Sequence, residues 1–304
     1  MQYRYRVVCG SYRDQKGMRY GPNDIVVSHS RLDLRFKNAF ETLDVMPDTA
    51  EVVPTKFTPP RWGLERRGGR YHVRNQATGK RLTEKTITRA QADQLDTLTE
   101  QGYWIPPTVW TGGTVFIVGG GPSVKDLDLS FMEKKHVIGV NDSFLLGEWV
   151  DVCFFGDFPW LAKHSEKLAA WAGLRVTSQP KAHGIPGIHS IRRREQRGFG
   201  PPHQLGWYKN SGAASVCLAV RMGAAKIVLV GFDMKLSKEG DSNWHPNNLT
   251  LNNAETYCRF CYNFECLRLD LSHAHPKVQI FNANPDSGLE IFPKLTYNEA
   301  CHDL

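Results

Sequence analysis

The sequence predicts an α/β protein: a mostly parallel sheet with helices on both faces, preceded by small β-rich and α+β modules. Three observations carry that prediction. Val115-Phe116-Ile117-Val118 is a short apolar run rich in β-branched residues, and it feeds directly into Gly119-Gly120-Gly121-Pro122-Ser123. Two further runs, 136–140 and 150–155, end in Asn141-Asp142 and Gly156-Asp157, and a fourth, 225–230, ends in Gly231-Phe232-Asp233. Apolar runs without alternation belong to strands buried on both faces, and polar residues after their C-terminal ends lie where open parallel sheets bind ligands. That is the arrangement of a Rossmann-like sheet.

Taken in chain order, residues 1–45 read as a small β-rich accessory module, with strands at 3–8 and 24–28 and a short helix near 30–36. Residues 46–60, with Pro47, Pro54, Pro59 and Pro60, read as a linker. Within 61–110, 71–74 and 80–82 form a hairpin across Asn75-Gln76-Ala77-Thr78-Gly79, and a helix starts at Thr88 with the capping-box spacing Thr88-x-x-Gln91. Residues 111–304 form the large domain. In it, Asn210-Ser211-Gly212 opens a helix of small residues running to Met222, and 254–271 is a second helix. The glycine- and proline-rich stretch 181–209, around Arg192-Arg193-Arg194-Glu195-Gln196-Arg197, reads as a mobile lid whose arginines close on an anion.

The chain has 304 residues and a net charge of +7. Residues 1–110 hold 18 Lys and Arg against 12 Asp and Glu, so the basic excess belongs to the N-terminal third. Arg61, Arg66, Arg67, Arg70 and Arg74, interleaved with Trp62, Tyr71 and His72, make a candidate nucleic-acid surface, phosphate contact joined to stacking. The competing reading is a solvated charged face. Seven cysteines, a polar basic start and no apolar run of membrane length fit a reducing, cytoplasmic setting. Cys258, Cys261 and Cys266 fall in the helical stretch 254–271, which favours a buried helical face over a zinc site.

The site chemistry follows from the strand ends. Glycines let backbone approach a diphosphate, and the amides of Gly121 and Ser123 are expected to face outward as anion donors. On that account Gly121→Val blocks nucleotide binding and leaves the domain folded. The run is neither a dinucleotide fingerprint nor a P-loop. His245, in the polar loop 241–247 after a strand end, is a candidate base, because a neutral imidazole accepts a hydroxyl proton near pH 7. Asp157 is the competing base, and Asp157 and Asp233 are also candidate ligands for a divalent cation.

The ordered set Gly119-Gly120-Gly121-Pro122-Ser123 with Asp128, the strand ending at Asn141, Asn210-Ser211-Gly212, Gly231-Phe232-Asp233, His245 and Asn284-Pro285-x-Ser287-x-Leu289 resembles the bacterial CMP-sialic-acid-dependent sialyltransferases and their uncharacterised phage-encoded relatives. The resemblance spans about residues 113–296. It implies a nucleotide-sugar donor, a CMP-sugar being favoured, without an obligatory metal, a hydroxyl acceptor, and inversion by His245 as base. It also implies nucleotide binding by Gly119, Gly120, Gly121, Pro122, Ser123, Asn141, Asp142, Asn210, Ser211, Gly212 and Asp233, with Tyr208 the candidate for a phosphate-binding tyrosine. Two alternatives stand beside it: a virion-associated structural protein with an inactive transferase fold, located in the host cytoplasm or the virion, and a pterin-type pyrophosphokinase.

Overall fold

The computed structural model describes residues 2–8, 10–13, 19–28, 32, 38–46, 62–76, 78–246 and 252–304. The linker 46–60, apart from Met46, and most of the short helix expected at 30–36 lie outside the described residues. The chain divides into two units, Met1–Val53 and Pro54–Leu304. In the first, β1 (Gln2–Val7) pairs antiparallel with β4 (Ile25–Ser28) on one side and β5 (Phe40–Met46) on the other, while β2 (Tyr12–Arg13) and β3 (Arg19–Tyr20) form a separate ribbon. Tyr5, Val7, Val26, Leu32 and Phe40 are its buried core.

In the second unit, β6 (Trp62–Arg67) and β7 (Arg70–Asn75) make an antiparallel hairpin. Its two-residue turn is Gly68-Gly69, both at positive φ, the composition that tight hairpin turns require. The hairpin anticipated between 71–74 and 80–82 survives as backbone bonds: the Asn75 amide donates to Lys80 O and the Leu82 amide to Val73 O. Helix α1 (Arg89–Ala92) follows with the expected Thr88/Gln91 capping box. Val73, Leu82, Ile87 and Trp104 share one core cluster with Val115 and Ile117 of the large sheet, so residues 62–110 pack into the same unit and the anticipated border at 110 has no counterpart in the packing.

The large sheet has seven strands: β8 (Thr114–Val118), β9 (His136–Val140), β10 (Val152–Phe155), β11 (Leu174–Thr177), β12 (His189–Ser190), β15 (Lys226–Val230) and β16 (Gln279–Asn282). Their order is β12-β11-β10-β9-β8-β15-β16, and every pairing is parallel. Alternation along β8 explains why its sequence is continuously apolar: Val115 and Ile117 face one core cluster, Phe116 and Val118 the other. Helices α3 (Ser211–Arg221) and α4 (Ala254–Ala274) supply the first cluster, α2 (Phe158–Ala170) and α5 (Tyr297–Asp303) the second. Each starts on a sequence signal: Asn210 and Asn253 cap α3 and α4, Thr296 and Glu299 form a capping box for α5, and Pro159 occupies the first turn of α2. At the β16 edge the last residue is covered: the Asn282 amide donates to Pro293 O and the Leu295 amide to Asn282 O.

The stretch 181–209 is pinned rather than lid-like. It carries β12 and a two-stranded parallel ribbon of β13 (Arg192–Arg194) and β14 (Gln204–Gly206). Arg197 donates to Cys266 O, Arg221 holds the carbonyls of Phe199, Gly200 and Pro201, and the Tyr208 hydroxyl donates to Asp270 Oδ2 at 2.7 Å. Cys266 is buried, Cys261 part-buried and Cys258 exposed, so the thiols of α4 spread around it instead of sharing one buried face. No helix among the described residues is long and apolar enough to cross a membrane.

Candidate functional site

The chain leaves β8 toward β9 on one side and returns on the other at β15, which makes the C-terminal ends of β8 and β15 the topological switch point. The two loops there are locked together. The Gly119 amide donates to Val230 O and the Gly121 amide to Gly231 O, both at 2.8 Å. The Ser123 amide (2.8 Å) and hydroxyl (2.6 Å) both donate to the buried Asp233 carboxylate, which also accepts from Asn284 Nδ2 at 2.7 Å. The amides of Gly121 and Ser123 are therefore engaged inside the protein, not turned outward toward an anion. The Gly121 φ is −60°, so its glycine is set by closeness rather than by positive φ: a Cβ would stand 2.5 Å from Gly231 O and 2.6 Å from Asp233 Oδ2. A valine at 121 accordingly threatens the fold itself, which corrects the expectation that it spares it.

The same close packing explains the later motif. The Ser287 hydroxyl donates to Phe232 O at 2.6 Å, the Leu289 amide donates to Ser287 Oγ, and Leu289 is fully buried, so Asn284-Pro285-x-Ser287-x-Leu289 braces the Asp233 loop. Gly212 lies so near the Phe232 ring that no side chain fits there, and Asn210 Oδ1 is occupied capping α3 through the Ala213 amide. Tyr208, through its bond to Asp270, belongs to the pinned stretch instead of to this site.

The loop that carries His245 is stitched to the glycine turn: the Trp244 amide donates to Gly120 O at 2.9 Å, and Lys125 Nζ contacts Asp241 Oδ2 at 2.6 Å. The His245 side chain is 10% exposed, its Nε2 3.9 Å from Asp142 Oδ2. Burial pushes the imidazole below its ordinary range, against the opposing pull of the Asp142 charge. Asp142 is itself buried, in the 3-10 turn Asn141–Leu146 that follows β9. Asn141, the turn's first residue, has φ +52°, a left-handed conformation that asparagine tolerates, and its Oδ1 is buried without a partner.

Further along the sheet edge, Asp157 precedes α2 without a side-chain capping bond. It is open to solvent yet densely flanked, and the resulting desolvation raises its carboxyl pKa. Arg193 Cζ stands over the Trp207 ring, 3.9 Å from its centroid, and the guanidinium donates to Ser178 O (3.0 Å) and Gly156 O (2.6 Å). Its guanidinium thus clamps strand-end carbonyls. Sequence reasoning joined the glycine turn, Asp142, Asp233 and His245 in one list; the structure brings Gly120, Asp142 and His245 together, and Ser123 with Asp233 separately. It missed Trp160 and His164, which carry no local signal and meet Asp142 only through folding. Among the described residues no cluster of three or more His, Cys, Asp or Glu is arranged to hold a metal ion.

Of the residues considered for nucleic acid, Arg61 lies outside the described residues, and Arg66, Arg67 and Arg70 are exposed. Arg67 and Arg74 pair with Glu65, Arg70 donates to Thr86, His72 is buried against Thr83, and Trp62 and Tyr71 pack on the core.

No protein family matches the sequence, and no curated protein does. Among solved structures, the chain is similar to the sialyltransferase CstII from Campylobacter jejuni in complex with cytidine-5'-monophosphate, at 18% identity over 61% of this chain and 85% of that one, with a TM-score of 0.40. It is also similar to CstII with a trisaccharide acceptor and CMP (17% identity, 61% and 86%, TM-score 0.37). An α-2,3-sialyltransferase from the same organism in apo form aligns at 19% identity over 61% and 80%, with a TM-score of 0.34.

Proposed function

We propose that the switch point is a nucleotide-sugar site and that the protein is a glycosyltransferase, transferring a sugar to a hydroxyl with His245 as general base. One observation carries the reading: a mostly buried imidazole, depressed below its usual pKa, stands beside a buried carboxylate on a loop bonded to the glycine turn. A neutral imidazole accepts a hydroxyl proton, and a carboxylate beside it stabilises the imidazolium that results. The orphaned Asn141 Oδ1 offers an acceptor for a donor hydroxyl, and donor-binding roles for Gly120, Ser211 and Gly212 follow from the motif order set out above. Asp233, Ser123 and Gly121 hold the floor of the site by their mutual bonds. The CMP-sugar as donor rests on the motif resemblance.

Calorimetry and thermal shift with CMP, UDP, GDP and ATP, each with and without Mg²⁺, test it. CMP at 100 times its Kd stabilises the domain by about 2.7 kcal/mol through mass action. A response to ATP with Mg²⁺ alone replaces the reading with a pyrophosphokinase, and no response to any nucleotide rejects it. In an active preparation, His245→Ala lowers kcat by about 10²- to 10⁴-fold with nucleotide binding intact. If Asp157→Asn has that effect instead, the carboxylate is the base.

A further inference from the structure

His245 is not the only imidazole on Asp142. The Trp160 indole Nε1 donates to Asp142 Oδ2 at 2.7 Å, and His164 Nε2 lies 3.3 Å from Oδ1, without hydrogen-bond alignment. Both come from α2. Trp160 stacks on His164 at 4.8 Å between centroids, and Phe144 packs edge-on against both rings, so the far side of the carboxylate has fixed walls. His245 closes the near side with Nε2 toward Oδ2, and the Trp244 ring stands edge-on to it at 4.8 Å. Asp142 is 2% exposed and His164 3%. A carboxylate this deeply buried, with one aligned donor, demands further N–H groups. The imidazole Nε2 atoms are the groups that face it.

We infer that Asp142, anchored by Trp160 and His164, is the positioning residue that holds His245 with Nε2 protonated and turned inward, so that Nδ1 is the basic atom of this ring. The assignment of the tautomer stands on geometry. Its consequence for catalysis rests on the reading of His245 as base. Nδ1 of His245 is buried and has no hydrogen-bond partner, so its lone pair is unsatisfied, and a hydroxyl reaches it only when the loop carrying Trp244 and His245 shifts to admit substrate. When Nδ1 takes that proton, the ring becomes an imidazolium with Nε2–H directed at the carboxylate, and the acceptor oxygen, now carrying the electron pair of its O–H bond, attacks the sugar while the nucleotide phosphate departs. The 3.9 Å separation is longer than a hydrogen bond; such contacts commonly tighten when substrate binds. The charged and titratable groups facing the two rings are Asp142, each other, and Lys163, with Lys167 added for His164. Asp142 is the one anion among them.

The experiment is ¹⁵N NMR of the histidine rings in the full chain, with His245→Gln and His164→Gln used to assign the two signals. The wild type is expected to show His245 as the Nε2–H tautomer, with an unprotonated Nδ1. Asp142→Asn keeps an acceptor for Trp160 and removes the charge; it should lower the pKa of His245 and mix its tautomers. A wild-type Nδ1–H tautomer overturns the inference, as does an unchanged tautomer and pKa in a folded Asp142→Asn. Should that variant fail to fold, the wild-type tautomer decides alone. Where CMP binds and turnover is measurable, Asp142→Asn should cut kcat by about 10²-fold or more, leave KM near its starting value, and move the acid limb of the pH profile downward. If no nucleotide binds, the proposed function fails while the ring spectra still settle the role of Asp142.

Discussion

Asp233→Ala tests whether the switch point is held by a carboxylate lock. Asp233 is 3% exposed and accepts from the Ser123 amide, the Ser123 hydroxyl and Asn284 Nδ2 at 2.6–2.8 Å. A hydrogen bond to a charged acceptor contributes about 1.5–3 kcal/mol. The hydroxyl can rotate to another partner, so the amide and Asn284 carry most of the loss, and about 3–5 kcal/mol is expected. For a unit of this size each kcal/mol moves the midpoint by about 2–4 °C, so Tm should fall by about 6–20 °C. Asp233→Asn keeps one acceptor oxygen but turns an NH₂ toward the Ser123 amide or Asn284, and should cost about 1–3 kcal/mol. The assay is chemical and thermal unfolding of residues 54–304 followed by circular dichroism, with Ser123→Ala and the double variant completing a cycle. A coupling of at least 0.5 kcal/mol is expected for groups in contact. A Tm change below about 2 °C for Asp233→Ala, or strict additivity with Ser123→Ala, would refute the lock.

Gly121→Ala should destabilise the same unit by about 1–3 kcal/mol, because its Cβ meets the backbone at Gly231 O at 2.5 Å, and equilibrium unfolding will show whether it does. Residues 54–304 should fold alone, whereas a fragment beginning at 111 should not, since it strips Val73, Leu82, Ile87 and Trp104 from the shared core; a cooperative melt of the shorter fragment would contradict this. Burial lowers the pKa of His72, His164 and His245, so each neutral ring contributes stability that is complete above the unfolded value near 6.5 and is lost as pH falls below it. The expected slope is up to about 1.4 kcal/mol per pH unit for each histidine, and a Tm constant from pH 7 to 5.5 would disprove it.

The strands around the site were legible because burial on both faces leaves a plain signature: Val115–Val118, His136–Val140 and the run into Gly231 all fall within a residue or two of the observed β8, β9 and β15. β11, β12 and β16 were missed. They are four, two and four residues long, and Leu174-Arg175-Val176-Thr177 hides a fully buried Arg175 whose guanidinium caps the C-terminal carbonyls of α2, a role no local pattern announces. The β6–β7 hairpin had its signal in Gly68-Gly69. In the site, His245 and Asp142 were both legible as polar residues after strand ends. Their pairing was not, because about a hundred residues separate them and only the sheet order brings β9 and the β15 loop together. The glycine turn was read correctly as a place of close approach, but what approaches Gly121 is the neighbouring loop.

The covered edge at β16 bears on assembly. Exposed edge strands recruit further strands, from copies of the same chain or from other proteins. Here the backbone at Asn282 is already bonded on its outer side to Pro293 and Leu295, and the opposite edge, β12, is only two residues long. Among the described residues, the outer side of β16 is closed at its C-terminal residue and β12 offers two residues, so little edge is left at either end for sheet extension. The segment that closes the β16 edge continues from Asn284 and Ser287, the braces of the Asp233 loop, and peeling it away to admit a foreign strand would dismantle the switch point as well. Displacing the bracing segment from the end of β16 and loosening the Asp233 loop are therefore coupled.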